Sequence, residues 1–349
     1  MKKHLPKVRV ILKWLKRLVL LTVILLGLLI PIVYWKQDQI VQKILAYANE
    51  QYTGVITLEG SHISPFANFP YISIDLEQVK VYETKDEGQQ PILDIHDAYL
   101  GFDLWTIISG NYQLKSIYLS DGYVKFIQHT DGSFNIVNAL SGKTQKEEVP
   151  STENIPFQLQ LKSIKLHNID IHKVNEANDI DIDAFVNDAV AKLAINGDHT
   201  MVDLDSRFEM NLMQGGDTTF IKHKHFNIQT KLDFDAEKML LNVAPSAVKL
   251  EMGEFNLEGQ FDIANDQYLD VKVEGAKPNF DLIIAFAPEE LIPTLQSYDN
   301  KGQVYFKATV KGKISDGNIP LVDAEFGCKE GMIRNPKNRK ELDEMEFKG

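Results

Sequence analysis

The sequence predicts a mainly β protein: an N-terminal transmembrane helix and an amphipathic helix, then an elongated antiparallel sheet with a few short helices. Three observations predict it. A basic, acid-free tip is followed by the uncharged apolar run Leu18–Trp35. From Val55 onward the chain reads as short runs of alternating apolar and polar residues, the period of half-buried strands. Turn-forming Gly, Asn and Asp clusters recur between those runs.

Residues 1–17 carry Lys2, Lys3, Lys7, Arg9, Lys13, Lys16 and Arg17. In the run that follows, only Thr22, Gly27 and Pro31 interrupt the apolar side chains, among them Leu18, Leu21, Ile24 and Leu28. At about 1.5 Å per residue the run nearly crosses a hydrocarbon core of roughly 30 Å. Leu12, Trp14 and Leu15 extend it inward while the neighbouring basic groups snorkel. Tyr34 and Trp35 suit the far interface. The positive-inside rule puts the tip in the cytoplasm and the bulk across the membrane. A cleaved signal peptide is the competing reading, but it needs a shorter apolar region and a small-residue cleavage site. The run ends instead in Pro31-Ile32-Val33-Tyr34-Trp35-Lys36, so an uncleaved anchor is expected.

The chain holds 37 basic and 49 acidic residues, and seven of the basic ones lie in the tip, which leaves the remainder at −19. Nucleic-acid binding needs a basic face and is excluded on this balance. The acidic residues are scattered along strand faces, which serves solubility. Cys328 is the single cysteine and cannot form an internal disulfide.

Along the chain, Ile40, Val41, Ile44, Leu45 and Tyr47 or Ala48 have helical spacing, so residues 37–52 should form an amphipathic helix ending at Thr53-Gly54. Residues 71–76 and 79–82 alternate, with a register change at Glu77-Gln78. A polar turn over residues 84–91 leads to strands over 92–102 and 112–119, around a short helical turn at 104–110. Asp121-Gly122 should turn the chain into residues 123–129, and Asp131-Gly132 should turn it again. Residues 141–153 are polar and charged, and read as an exposed boundary loop.

Strands resume at 157–171 with apolar steps Leu159/Leu161, Ile164/Leu166 and Ile169/Ile171, slipping at Lys162-Ser163 and His167-Asn168. Each slip predicts a face swap through a bulge or corner. Val202, Leu204, Phe208, Met210 and Leu212 share one face. Phe226, Ile228, Leu232 and Phe234 share another, as do Phe255, Leu257, Phe261 and Ile263, and Val304, Phe306, Ala308 and Val310. Turns at 196–198, 215–217, 264–266 and 315–317 complete an antiparallel meander. Between them, Leu282, Ile283, Phe286, Leu291, Ile292 and Leu295 have helical spacing, broken at Pro288, which could open a second helix as its first residue. Alternation restarts at Leu342, Met345 and Phe347 just before the end, which predicts a truncated frame or fragment.

No constellation for catalysis emerges. His223-Lys224-His225 puts two imidazoles on one strand face without a third ligand, and reads as a solvated face. The other histidines are dispersed, Cys328 has no histidine near it and is not expected to be a nucleophile, and the Asp-Gly pairs are turn chemistry. No cofactor and no enzymatic activity are expected. What stands out is the series of one-sided apolar strands. They either pack on each other as a closed sandwich, a scaffold for assembly partners, or curl into an open groove whose apolar face needs a ligand such as acyl chains. On the second reading the groove residues are Ile72, Ile74, Leu76, Val79 and Val81, then Leu93, Ile95, Leu100, Phe102 and Leu104, then Ile117, Leu119, Val124 and Phe126.

The region from the anchor to Leu140 resembles the AsmA family of bacterial envelope proteins. The resemblance rests on the anchor, the amphipathic helix, Ile63-Ser64-Pro65-Phe66 with Phe69-Pro70, the 72–79 strand, and the 104–110 turn leading to Leu114-Lys115-Ser116-Ile117-Tyr118-Leu119. Its most specific blocks are Asp121-Gly122-Tyr123-Val124-Lys125-Phe126 and Asp131-Gly132-Ser133-Phe134-Asn135-Ile136. The 280–295 insert followed by 302–310 also looks like long AsmA-like proteins.

The resemblance implies kinship with chorein-type repeating-β-groove lipid-transfer proteins, taco-shaped and attached to the bacterial inner membrane. It implies a periplasmic bulk, phospholipid as ligand, and envelope or outer-membrane assembly proteins as partners. The expected division is 1–35 tip and anchor, 36–142 AsmA-like groove domain, 143–156 linker, and 157–349 continuation of the groove.

Overall fold

The structure is a computed structural model that describes Lys16 and residues 41–349, apart from 44, 65–67, 69–70, 87, 110–111, 143–156, 177–179, 220, 265–266 and 315–317. The expected anchor, with Leu18, Leu21, Ile24, Leu28, Tyr34 and Trp35, lies outside the described residues. So do the expected 143–156 linker and parts of the 264–266 and 315–317 turns. Among the described residues no helix is long and apolar enough to cross a membrane.

The chain is mainly β, and one long mixed sheet organises it. Residues 41–43 and 45–51 are helical (α1), with Val41 buried and Gln42, Lys43 and Glu50 exposed. Then come β1 (Val55–Thr57), β2 (Gly60–Ser64), β3 (Ile72–Tyr82), β4 (Leu93–Phe102), α2 (Leu104–Ser109), β5 (Tyr112–Gln128) and α3 (Asn135–Leu140). Next follow β6 (Phe157–Asn175), β7 (Ile180–Asn196), β8 (His199–Gln214), β9 (Asp217–Thr218), β10 (Lys224–Asp235), β11 (Leu240–Leu250), β12 (Gly253–Asp262) and β13 (Tyr268–Gly275). The apolar insert forms α4 (Asp281–Ile284), a 3₁₀ turn at Glu289–Leu291 and α5 (Ile292–Gln296). The chain ends in β14 (Asp299–Lys313), β15 (Leu321–Arg334) and β16 (Glu341–Lys348). Pro288 caps the 3₁₀ turn rather than starting an α-helix.

Strands neighbour one another in the order β1-β3-β4-β5-β6-β7-β8-β10-β11-β12-β13-β14-β15-β16, with β2 on β3 and β9 on β8. The expected meander is corrected at one place. β5 and β6 run parallel, from Tyr112↔Phe157 to Gln128↔Asn175. A parallel pair needs a crossover of about a dozen residues or more, and residues 129–156 with α3 are long enough to carry the chain back. The two segments on either side of the expected linker therefore share one sheet.

A second correction concerns Asp121-Gly122. The pair lies inside β5, which pairs with β4 on both sides of it. Asp121 has φ 58, and a Cβ on Gly122 would meet the Asp94 carbonyl oxygen at 2.2 Å. Asp and Gly tolerate such a kink, so it is a bulge where a turn was expected. The registers skip Gln78, His96, Asp121, Asn168 and Asn187 in neighbouring strands, so these residues form a crease across β3–β7. It ends against β8, where Asn187 alone is skipped between Val186↔Phe208 and Asp188↔Arg207. The slip at His167-Asn168 is thus a bulge, as expected, with Asn168 at φ 51. Its effect is the reverse of a face swap. One extra residue returns the next apolar side chain to the same face, and Leu166 and Ile169 pack in one cluster.

Candidate functional site

The cross-strand registers bring the apolar residues of successive strands to one face. One rung runs Ile95, Gly122, Ile169, Val186, Phe208, Phe226 and Leu250 from β4 to β11. A second runs Leu100, Ile117, Ile164, Ala191, Leu204 and Thr230. Farther along, Leu257, Val273, Ala308 and Ala324 continue the face across β12–β15. Phe208 and Phe226 stack at 5.1 Å between centroids.

The face is closed in two regions. At one, Val41 and Leu45 of α1, with Ile56, Leu58 and Ile63, pack on Ile74, Ile95 and Phe102. At the other, the insert places Phe280, Leu282, Ile284 and Ile292 against Leu250, Phe255, Val304 and Cys328. Phe286 stacks on Phe306 at 5.0 Å and meets Phe255 edge-on at 5.7 Å. An apolar cavity of about 550 Å³ lies between the insert and β15–β16, lined by Phe280, Ile283, Phe286, Leu295, Ile333 and Phe347 among others. Elsewhere the face is half-buried, as at Val202, Leu204, Ile228, Leu232, Val271 and Val310.

The opposite face is polar and laced with ion pairs. Lys311–Asp270 at 2.9 Å and Lys277–Glu254 at 2.8 Å cross strands or their ends. Every described histidine has a carboxylate within 3.1 Å. His223 and His225 sit 2.6 Å from Glu209 and 3.0 Å from Glu251, so their imidazoles are engaged in strand-to-strand pairs. Among the described residues, no three His, Cys, Asp or Glu groups are placed to hold a metal ion. Cys328 is buried, and burial pushes its thiol above the ordinary range, away from nucleophilic character.

Two groups on the polar face are strongly perturbed. Asp75 is 3% exposed, its Oδ1 has no hydrogen-bond partner, and burial pushes its carboxyl up to about 6 against the pull of His62. Tyr99, desolvated and near Asp75, is pushed up to about 12.

The sequence-predicted residues Ile72, Ile74, Leu76, Val79 and Val81 pair with Phe102, Leu100, Ala98, Ile95 and Leu93, so they share the apolar face. Ile117, Leu119 and Val124 join them through β5, and Phe126 follows by alternation. They do not all line an open surface. Ile74, Ile95 and Phe102 are 0% exposed and belong to the core under α1. Leu104 begins α2 and is not on a strand. Leu93, Leu100, Ile117, Leu119 and Val124 are half-buried, and Phe126 is exposed.

The family-motif residues have structural roles. Asn135 is fully buried; its Oδ1 accepts from the Ile127 and Ile136 amides at 2.9 and 2.8 Å, and its Nδ2 donates to the Lys125 carbonyl at 2.7 Å. It fastens α3 to β5. Asp131 and Gly132 form the expected turn, with the Ser133 amide donating to Asp131 Oδ1 at 2.9 Å.

Sequence reasoning passed over two cations on the apolar face, Lys173 and Lys224. Lys224 is 1% exposed, sits opposite Met210, and donates from Nζ to the Ala287 carbonyl in the insert. For Lys173 a signal existed: the alternation Ile169, Ile171, Lys173 already puts it on the apolar side. No family model matches the chain, and no characterised protein matches it either.

Proposed function

We propose that this chain is a non-enzymatic, membrane-anchored envelope protein of the AsmA type that shields lipid acyl chains along the apolar face of its sheet. In this reading Leu18–Trp35 holds it in the bacterial inner membrane, with the tip cytoplasmic and the sheet curled as a groove in the periplasm. It serves lipid transport or outer-membrane assembly, with envelope proteins as partners. The carrying observation is the apolar face that runs from β3 to β15, broken by few polar side chains, closed by protein at α1 and at the insert and half-open between. Each acyl CH₂ moved from water to such a surface contributes about 0.8 kcal/mol. That offsets extraction from a bilayer without any head-group chemistry.

The test uses the full chain, purified gently, with bound lipid identified by mass spectrometry. About one phospholipid or more per chain is expected. Leu204→Glu and Leu232→Glu, at half-buried positions of the open part, should abolish loading while circular dichroism stays that of the parent. A folded parent free of lipid would overturn the reading in favour of a closed scaffold.

A further inference from the structure

The two lysines on the apolar face differ in one respect. Burial pulls Lys224 below the ordinary lysine range too, but its ammonium is spent on the Ala287 carbonyl, and Glu251, Glu289 and Glu290 oppose the pull. Lys173 stands on β6 between Phe126 of β5 and Ile182 of β7. Among the described residues it has no hydrogen bond and no ion pair, and burial alone pulls it below the ordinary lysine range. An ammonium that loses hydration without gaining a partner is a net cost to folding. An arriving anion would remove that cost.

The surroundings fit an anion carried by a chain-like ligand. Val124, Phe126, Ile171, Ile182, Met210 and Leu212 surround or adjoin Lys173 on the same face, and all are half-buried or exposed. One step toward the strand ends the face turns polar. There Gln128 and Asn175, both buried, pair at 2.8 Å. Here too α3 and the end of α1 are tied in, since the Gly54 amide donates to Ala139 at 2.9 Å and Lys85 Nζ donates to Asn49 at 2.7 Å.

We propose that Lys173 receives the anionic head of an acyl lipid whose chains lie over Val124, Ile171, Ala184 and Met210. The proposal rests on the lipid-shielding reading above and adds head-group discrimination at this end of the sheet. Lys224, the other cation on that face, is spent on the Ala287 carbonyl, so such a carrier would sort heads at Lys173 and let the chains pass indifferently beyond.

The experiment compares binding by the full chain of phosphatidylglycerol, of diacylglycerol with the same acyl chains, and of inorganic phosphate. The parent and Lys173→Arg should prefer phosphatidylglycerol over diacylglycerol by roughly tenfold or more, the usual weight of a charge-assisted hydrogen bond. In Lys173→Met the ratio should fall to about one; diacylglycerol, to which an ammonium adds nothing, is the internal reference. A ratio unchanged in Lys173→Met, or a parent without preference, overturns the proposal and leaves the lipid-shielding reading standing. A parent that binds neither lipid overturns both. Lys173-dependent binding of inorganic phosphate without discrimination between the lipids overturns the lipid head as the source of the anion.

Discussion

Asp75 supplies the most quantitative test of the fold. Its carboxyl is buried on the polar face, 3.2 Å from His62 Nε2 through one oxygen and unpaired through the other. Burial is the main reason its pKa rises from 3.8 to about 6; Asp97 and Glu77 push the same way, and His62 opposes them. A carboxyl with a raised folded pKa binds its proton more tightly in the native state than in the unfolded state. Its contribution to stability is therefore fully present below about pH 3.8 and is lost as pH rises through about 6. The total loss is about 3 kcal/mol, of which about 2 kcal/mol falls between pH 4.5 and pH 8. Asp75→Asn cannot titrate, so it lacks this loss while every other group is shared. Urea denaturation of the full chain and of Asp75→Asn, in the same detergent at both pH values, measures the double difference. The variant should gain about 2 kcal/mol on the parent between pH 4.5 and pH 8. A difference constant to within about 0.5 kcal/mol would show that Asp75 is not desolvated in the native state and that the packing of β2 on β3 is misread.

Three further substitutions probe the β4–β5–α3 framework. Gly122→Ala drives a methyl to 2.2 Å from the Asp94 carbonyl oxygen, so β4 and β5 must part locally; a loss of at least about 2 kcal/mol in thermal unfolding is expected. Gly132→Ala is its control: φ 84 is strained but no atom lies within 4 Å, and the cost should stay near about 1 kcal/mol. Asn135→Ala strips the Ile127 amide and the Lys125 carbonyl of their side-chain partner. It should cost about 2–4 kcal/mol, with hydrogen-exchange protection lost first at Ile127.

What the sequence made legible is what is local. The face shared by Val202, Leu204, Phe208, Met210 and Leu212 follows from a period of two, and the structure keeps it on β8. The helical spacing of residues 280–295 survives as α4 and α5, because the apolar stripe must bury somewhere and finds Phe255 and Val304. The parallel β5–β6 pair was not legible. Its partner choice depends on a crossover whose polar residues give no hint of where the chain returns. Asp121-Gly122 was ambiguous for a physical reason: a turn and a bulge both ask for residues that tolerate left-handed or crowded backbone. Only the neighbouring strand, continuing past the pair, decides between them.

The same dependence on tertiary cover governs which apolar residues can report on a ligand. Alternation alone treats Ile74, Leu100 and Phe102 as equivalent. The structure separates them, because Ile74 and Phe102 are sealed under α1 and β2 whereas Leu100 is half-buried. A charge at a sealed position leaves an unpaired ion in a dry core, and the outcome is an unfolded protein whatever the face does. A charge at Leu204 or Leu232 meets water in the free protein and acyl chains only when ligand is present. The energetic penalty then falls on binding rather than folding. Lys173 shows that the fold already accommodates one charge in that half-open zone. This is why substitutions there can separate loss of lipid from loss of structure.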